Sequence, residues 1–256
     1  VDEAHLFFNE QPKITSITGI LSDLGLGYLK LGQPSTTLSG GEAQRIKLAT
    51  ELSRPASGHT LYILDEPTTG LHMADVEILF RSLRKLVGKG HTLLCIEHDP
   101  LFILQSDWMV DLGPGSAGDG GNIVAQGYVN EMMNHAESLT SFELRKFASR
   151  SLSSHRTADS PCSVETIKAP IHLMGAQTNN LKNIDVTFPA DGITAVTGVS
   201  GSGKSSLVYG TLYAESQRRF LEGLSSYSRQ YSVKAGVPVV REIHGLIPAV
   251  RLPKKN

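Results

Sequence analysis

The 256-residue chain is poor in cysteine, in net charge and in long apolar runs, and each shortage excludes something. Cys95 and Cys162 are its two cysteines, too few for a disulfide framework or a four-cysteine zinc site. Its 24 Lys+Arg against 25 Asp+Glu leave a net charge of -1, so binding of nucleic acid through bulk positive charge is excluded. The longest apolar runs, such as Thr92–Ile96 and Ile193–Thr197, fall far short of the roughly 20 residues that span a bilayer. No charged-then-apolar leader opens the chain, and a cytoplasmic setting without membrane contact is expected. The 40% hydrophobic content is that of a globular protein with a buried core, not of a disordered one.

Glycine is abundant, 25 residues gathered in runs, and points to sites built from backbone. The spacing of Ile17, Ile20, Leu21 and Leu24 predicts a helix, and Gly41–Leu52 reads as a charged amphipathic one. Thr60–Leu64 and Thr92–Ile96 look like buried parallel strands, with a helix over Asp75–Val87 between them. Trp108–Leu112 and Asn122–Ala125 read as shorter, more exposed strands split by a Gly-rich turn at Gly118–Gly121. Ile171–Met174 and Ile184–Phe188 alternate like half-exposed antiparallel strands. Ile193–Thr197 is a buried strand leading through a Gly-rich turn into a helix from Lys204. An α/β layered fold with a mixed sheet flanked by helices follows. A Ser-rich polar stretch, 136–165, reads as a linker between 1–135 and 166–256.

Gly198-Val-Ser200-Gly201-Ser202-Gly203-Lys204-Ser205, followed by Ser206, matches the phosphate-loop pattern G-x-x-x-x-G-K-[ST]. Its glycines let backbone N–H groups turn inward around phosphates at a helix start. Lys204 would reach the β- and γ-phosphates and Ser205 would ligate Mg²⁺. Leu61–Leu64 delivers Asp65 and Glu66 to a strand end, one to hold Mg²⁺ through water and one to polarise an attacking water. Alone that pair is weak, since apolar strands often end in acids. Two readings stand for Ser39-Gly40-Gly41: a helix start presented to an anion, or a helix cap with Ser39 as N-cap. His98, just past a buried strand, is either structural or part of the site. Arg218-Arg219 reads as a solvated helix face with a DNA contact as the alternative.

Leu38-Ser-Gly-Gly-Glu42, Leu64-Asp-Glu-Pro-Thr-Thr-Gly-Leu-His72 and Ile96-Glu-His98 together resemble ABC-type ATPases. Longer runs narrow the resemblance to the UvrA family, the damage-recognising subunits of bacterial excision repair. These are Thr37–Ala49, Trp108–Pro114, Gly175–Ile184, Thr211–Phe220 and Leu224–Gln230.

The resemblance implies a P-loop ATPase that hydrolyses ATP with Mg²⁺. Lys204 and Ser205 take the Walker A roles, Asp65 and Glu66 the Walker B and water-activating roles, and His98 the switch role. Ser39, Gly40 and Gly41 become the signature that closes on a nucleotide held by an opposing module, and Thr69, Gly70 and Leu71 the D-loop at that interface. It implies damaged double-stranded DNA and a UvrB-type repair subunit as partners, and a homodimer. Two alternatives remain: a paralogue serving drug or antibiotic self-resistance, or a remnant that binds nucleotide without hydrolysis. No zinc is expected in this segment, because the family's paired cysteines have no counterpart here.

The motif order departs from a single ABC module, since signature and Walker B precede Walker A. The chain therefore reads as an excerpt holding the back half of one module and the front half of another, as two modules in tandem would give. The back half resembles the family's second module and the front half its first, which implies a tandem-duplicated or rearranged parent. Lys254 stands where the family's Q-loop glutamine is expected. The two halves complement each other, so a single sheet joining them, as in a circular permutant, is expected.

Overall fold

A computed structural model describes residues 1–54, 58–151, 169–222 and 236–252. The expectations at Cys162, Lys254 and the run ending at Gln230 lie outside the described residues, as does the Ser-rich stretch from 152 to 165.

Three helices open the chain: α1 (Asp2–Phe7), α2 (Pro12–Asp23) and α3 (Gly40–Ser53). Then β1 (Leu61–Asp65), α4 (Met73–Gly88), β2 (Thr92–Ile96) and α5 (Pro100–Gln105) alternate. β3 (Trp108–Gly113), β4 (Asn122–Tyr128), α6 (Val129–Met132) and α7 (Leu139–Ser151) follow. Next come β5 (Ile171–Ala176), β6 (Ile184–Phe188), β7 (Ile193–Gly198) and α8 (Lys204–Leu207). A π-helical turn (Val208–Tyr213), α9 (Ala214–Glu222), β8 (Glu242–His244) and β9 (Ala249–Leu252) complete the order.

Six strands form one sheet in the order β4-β3-β7-β2-β1-β9. All neighbours are parallel except β3 and β4. The expected joining of the two halves is therefore realised, with β7 lying between β2 and β3 and β9 closing the far edge beside β1. The register aligns Asp65 with Ile96 and Ile96 with Val196. The strand ends that carry the acids and the glycine loop are thus two strand spacings apart, about 10 Å.

Strand alternation divides the core. Tyr62, Leu64, Leu93 and Cys95 face one side and pack on Leu48, Leu79, Leu83 and Leu86 of α3 and α4. Leu61, Ile63, Leu94, Ile96 and Val196 face the other, against Leu207, Val208 and Leu212. Each fully buried Leu or Ile contributes roughly 1.5–3 kcal/mol of burial free energy. On that second side β6-β5-β8 makes a small antiparallel sheet, whose alternating burial follows the sequence pattern.

Two expectations are corrected. β3 is not an exposed strand: from Met109 to Gly113 it is buried, held between β7 and β4. The stretch from 136 is not all linker, because α7 runs through it to Ser151. Ser138 caps it by accepting from the Ser141 amide at 2.9 Å, and Leu144 is buried in the core.

Candidate nucleotide site

The glycine loop follows β7 directly. Gly198, Gly201 and Gly203 have φ of 126°, 75° and 109°, values that L side chains adopt at a cost. A Cβ on Gly198 would stand 2.1 Å from the Leu112 carbonyl oxygen, so only glycine lets β7 turn there beside β3. The Lys204 ammonium donates to the Gly198 and Val199 carbonyls at 2.8 and 2.9 Å, folding back across the loop. Ser205 is exposed at the helix start, and Ser202 is fully buried with its hydroxyl unpartnered.

Two supports of this loop were not assigned from the sequence. Asn180 donates to the Gly201 carbonyl at 3.0 Å and accepts from the Ser206 hydroxyl at 3.0 Å. The Gly118–Gly121 segment, read as a turn, and Ala117 just before it also brace the loop. The Gly121 amide donates to the Ser202 carbonyl at 2.9 Å and the Ala117 amide to Gly201 at 3.1 Å.

Asp65 ends β1, and Glu66 leaves it with φ of 43°, a left-handed conformation rare for a residue with a side chain. The Glu66 amide donates to the Ile96 carbonyl at 2.9 Å, and its carboxylate accepts from the Thr69 hydroxyl at 3.2 Å. Burial lowers the Lys204 ammonium below the ordinary lysine range. Glu66, Asp111 and Asp65, in that order of strength, pull it back up. Both acids at the end of β1 are thus within electrostatic reach of the loop lysine.

His98 is exposed two residues past β2, and the residue before it is the surprise. Glu97 is 0% exposed and accepts three backbone N–H bonds, from Thr68 at 2.8 Å, His98 at 3.0 Å and Asp99 at 3.3 Å. Burial raises its pKa above the usual carboxylate value, and these donors oppose the shift. No local sequence pattern flagged it, since its donors come partly from 29 residues away.

Ser39 caps α3 in a full capping box, accepting from the Glu42 amide at 3.3 Å while its own amide donates to the Glu42 carboxylate at 2.6 Å. A Cβ on Gly41 would lie 3.3 Å from the Thr69 carbonyl, so the α3 start sits against the turn after Glu66. No hydrogen bond joins Ser39–Gly41 to residues 198–205 among the described residues. The structure thus gathers Lys204, Ser205, Asp65, Glu66 and His98 at the same end of the sheet and leaves the α3 start turned toward 66–69.

Several other residues take structural places. His72 is the N-cap of α4, accepting from the Ala74 amide at 3.3 Å. Arg218 and Arg219 both pair with Glu215, at 2.7 and 2.8 Å, which neutralises much of that face. Trp108 packs edge-on against Tyr128. Among the described residues no group of three or more His, Cys, Asp or Glu gathers to hold a metal ion, and no helix is long and apolar enough to cross a membrane.

No family model matches the chain. Comparison with curated proteins is more telling. The UvrABC system protein A of Chlamydia muridarum is 40% identical over 255 residues, 99% of this chain and 14% of its own length. That of Rickettsia conorii is 37% identical over 262 residues, all of this chain and 26% of its own length. The crystal structure of UvrA2 from Deinococcus radiodurans matches 57% of this chain at 54% identity with a TM-score of 0.54, covering 18% of that chain. The chain spans about a quarter or less of these relatives, and the chlamydial protein is nearly twice as long as the rickettsial one. Over nearly its whole length the chain is thus similar to one segment of UvrA proteins.

Proposed function

We propose that the chain binds and hydrolyses Mg²⁺-ATP as the nucleotide-driven segment of a UvrA-type protein that recognises DNA damage in excision repair. The observation that carries this reading is the convergence of the glycine loop, its lysine and two strand-end carboxylates at one end of the sheet. The residues present fit a phosphate. Three glycines hold positive φ around the loop, and the Ser202 hydroxyl is buried without a partner.

Lys204 would exchange its two carbonyl contacts for phosphate oxygens and neutralise their charge. Ser205 and Asp65 would hold Mg²⁺, which when bound spreads the charge of the phosphates. Glu66, pinned by Ile96 and Thr69, would orient a water and take its proton as the γ-phosphoryl group passes to it, giving ADP and phosphate. His98 would stand at the γ-phosphate side, beyond the end of β2. Ser39, Gly40 and Gly41 make no hydrogen bond to this chain's own loop among the described residues, which supports their serving the loop of a second module in a head-to-tail dimer. Damaged duplex DNA and a UvrB-type subunit are the partners such a cycle would serve in a cytoplasmic repair protein.

The order of the halves has support as well. Both bacterial relatives align across the join in this chain's order, and the longer chlamydial one has room for more modules. A reading frame with repeated modules around this segment is the expected parent, and sequencing it decides the point.

The functional test is ATP turnover with and without lesion-bearing duplex. Lys204→Ala should lose nucleotide binding, and Glu66→Gln should bind ATP while turning over about 100-fold more slowly. Damaged DNA should alter the unmutated rate. Unchanged turnover in both variants would reject the site.

A further inference from the structure

Glu97 lies within the Ile96-Glu-His98 run, where the sequence assigns a role to His98 alone, yet its carboxylate is fully hydrogen-bonded beside the site. It is a fully buried carboxylate one residue past β2, with both oxygens used. Oε1 accepts from the Thr68 amide at 2.8 Å. Oε2 accepts from the His98 and Asp99 amides at 3.0 and 3.3 Å. Thr68 continues into Thr69, whose hydroxyl donates to the Glu66 carboxylate at 3.2 Å. Asp99 in turn caps α5, accepting from the Phe102 amide at 2.9 Å. One side chain therefore fastens the turn that holds Glu66 to the backbone that carries His98. An apolar residue there would orphan three buried or part-buried N–H groups. A carboxylate can satisfy all three because it only accepts.

We propose that Glu97 is a positioning residue for ATP hydrolysis, fixing Glu66 through Thr68–Thr69 and His98 through its own amide. The inference rests on the ATPase reading above. It implies that Glu66 and His98 shift together, since a displacement of either turn pulls on the same carboxylate.

Glu97→Gln tests it with little change of volume. The amide has one accepting oxygen for three donors, and its NH2 must face an N–H, so one of the two turns comes loose. The expected result is a kcat at least about tenfold lower with the ATP Kd within about twofold, because the glycine loop is untouched. In the Glu66→Gln/Glu97→Gln double variant the Glu97→Gln change should cost less than it does alone, because the part that acts through Glu66 is already lost and only the part through His98 remains. Thr69→Val, at an exposed position, removes only the last link and should lower kcat at least about threefold at unchanged Kd. It carries the test if Glu97→Gln does not fold. A folded Glu97→Gln with wild-type kcat overturns the proposal. So does a parallel loss of kcat, ATP affinity and melting temperature, or an unfolded Glu97→Gln beside a Thr69→Val of normal rate. Absence of Lys204-dependent hydrolysis in the unmutated chain is a separate outcome: it removes the ATPase reading and this inference with it.

Discussion

At the residue scale the site divides into groups that announce themselves and groups that do not. Lys204, Ser205, Asp65 and Glu66 were legible because their chemistry depends on neighbours within a few positions: glycines before a lysine, an apolar strand before two acids. Asn180 and Glu97 were not, because their partners arrive from other parts of the chain. The residue Glu97 stood in plain view between Ile96 and His98, but a carboxylate reads as solvent-facing until three N–H donors are found around it. Close approach makes its own prediction. Gly198→Ala places a methyl 2.1 Å from the Leu112 carbonyl at a φ of 126°, so β7 and β3 must part. A loss of about 3 kcal/mol or more in urea unfolding is expected. Cys95 offers a second check. It is fully buried, and burial with the nearby Glu97 charge pushes its thiol well above the ordinary range. Peptide mapping after iodoacetamide at pH 8 should find Cys95 unmodified in the native chain and modified in urea.

At the scale of elements, periodicity located β1, β2, α3 and α4 to within a residue or two, since each buries a recurring set of apolar residues. It misjudged β3, and the cause is a single side chain. Asp111 interrupts Trp-Met-Val-Asp-Leu, and an acid in mid-strand argues for exposure. In the fold Asp111 is 3% exposed and accepts from three hydroxyls, Ser138 at 2.7 Å, Thr140 at 2.8 Å and Thr197 at 2.8 Å. The same cluster explains the misread start of the linker: α7 is polar on most of its surface, and its attachment is by these hydroxyls and Leu144 rather than by an apolar stripe. Asp111→Ala would leave the hydroxyls without their acceptor and should cost roughly 2–4 kcal/mol. The loss should appear in urea unfolding, with faster amide exchange along 139–149.

At the scale of the whole molecule, the complementarity of the halves was legible from motif order together with the need of a buried strand for two neighbours. The structure supplies those neighbours: β7 hydrogen-bonds β2 on one side and β3 on the other, and β9 pairs with β1. Strand pairing rather than covalent continuity should then hold the halves together. With a protease site introduced between residues 153 and 154, the cleaved pieces should co-elute in gel filtration without denaturant. Their separation would mean that the sheet alone does not hold them.

The central place of β7 also bears on how the chain is made. β2 and β3 leave the ribosome well before residues 193–198, and at roughly 5–20 residues per second the gap is several seconds long. During that interval the nascent sheet has two open parallel edges where its middle strand belongs, each an invitation to the wrong partner. Biosynthesis, more than the finished fold, is where this arrangement is exposed, and chaperone dependence during translation is its natural consequence.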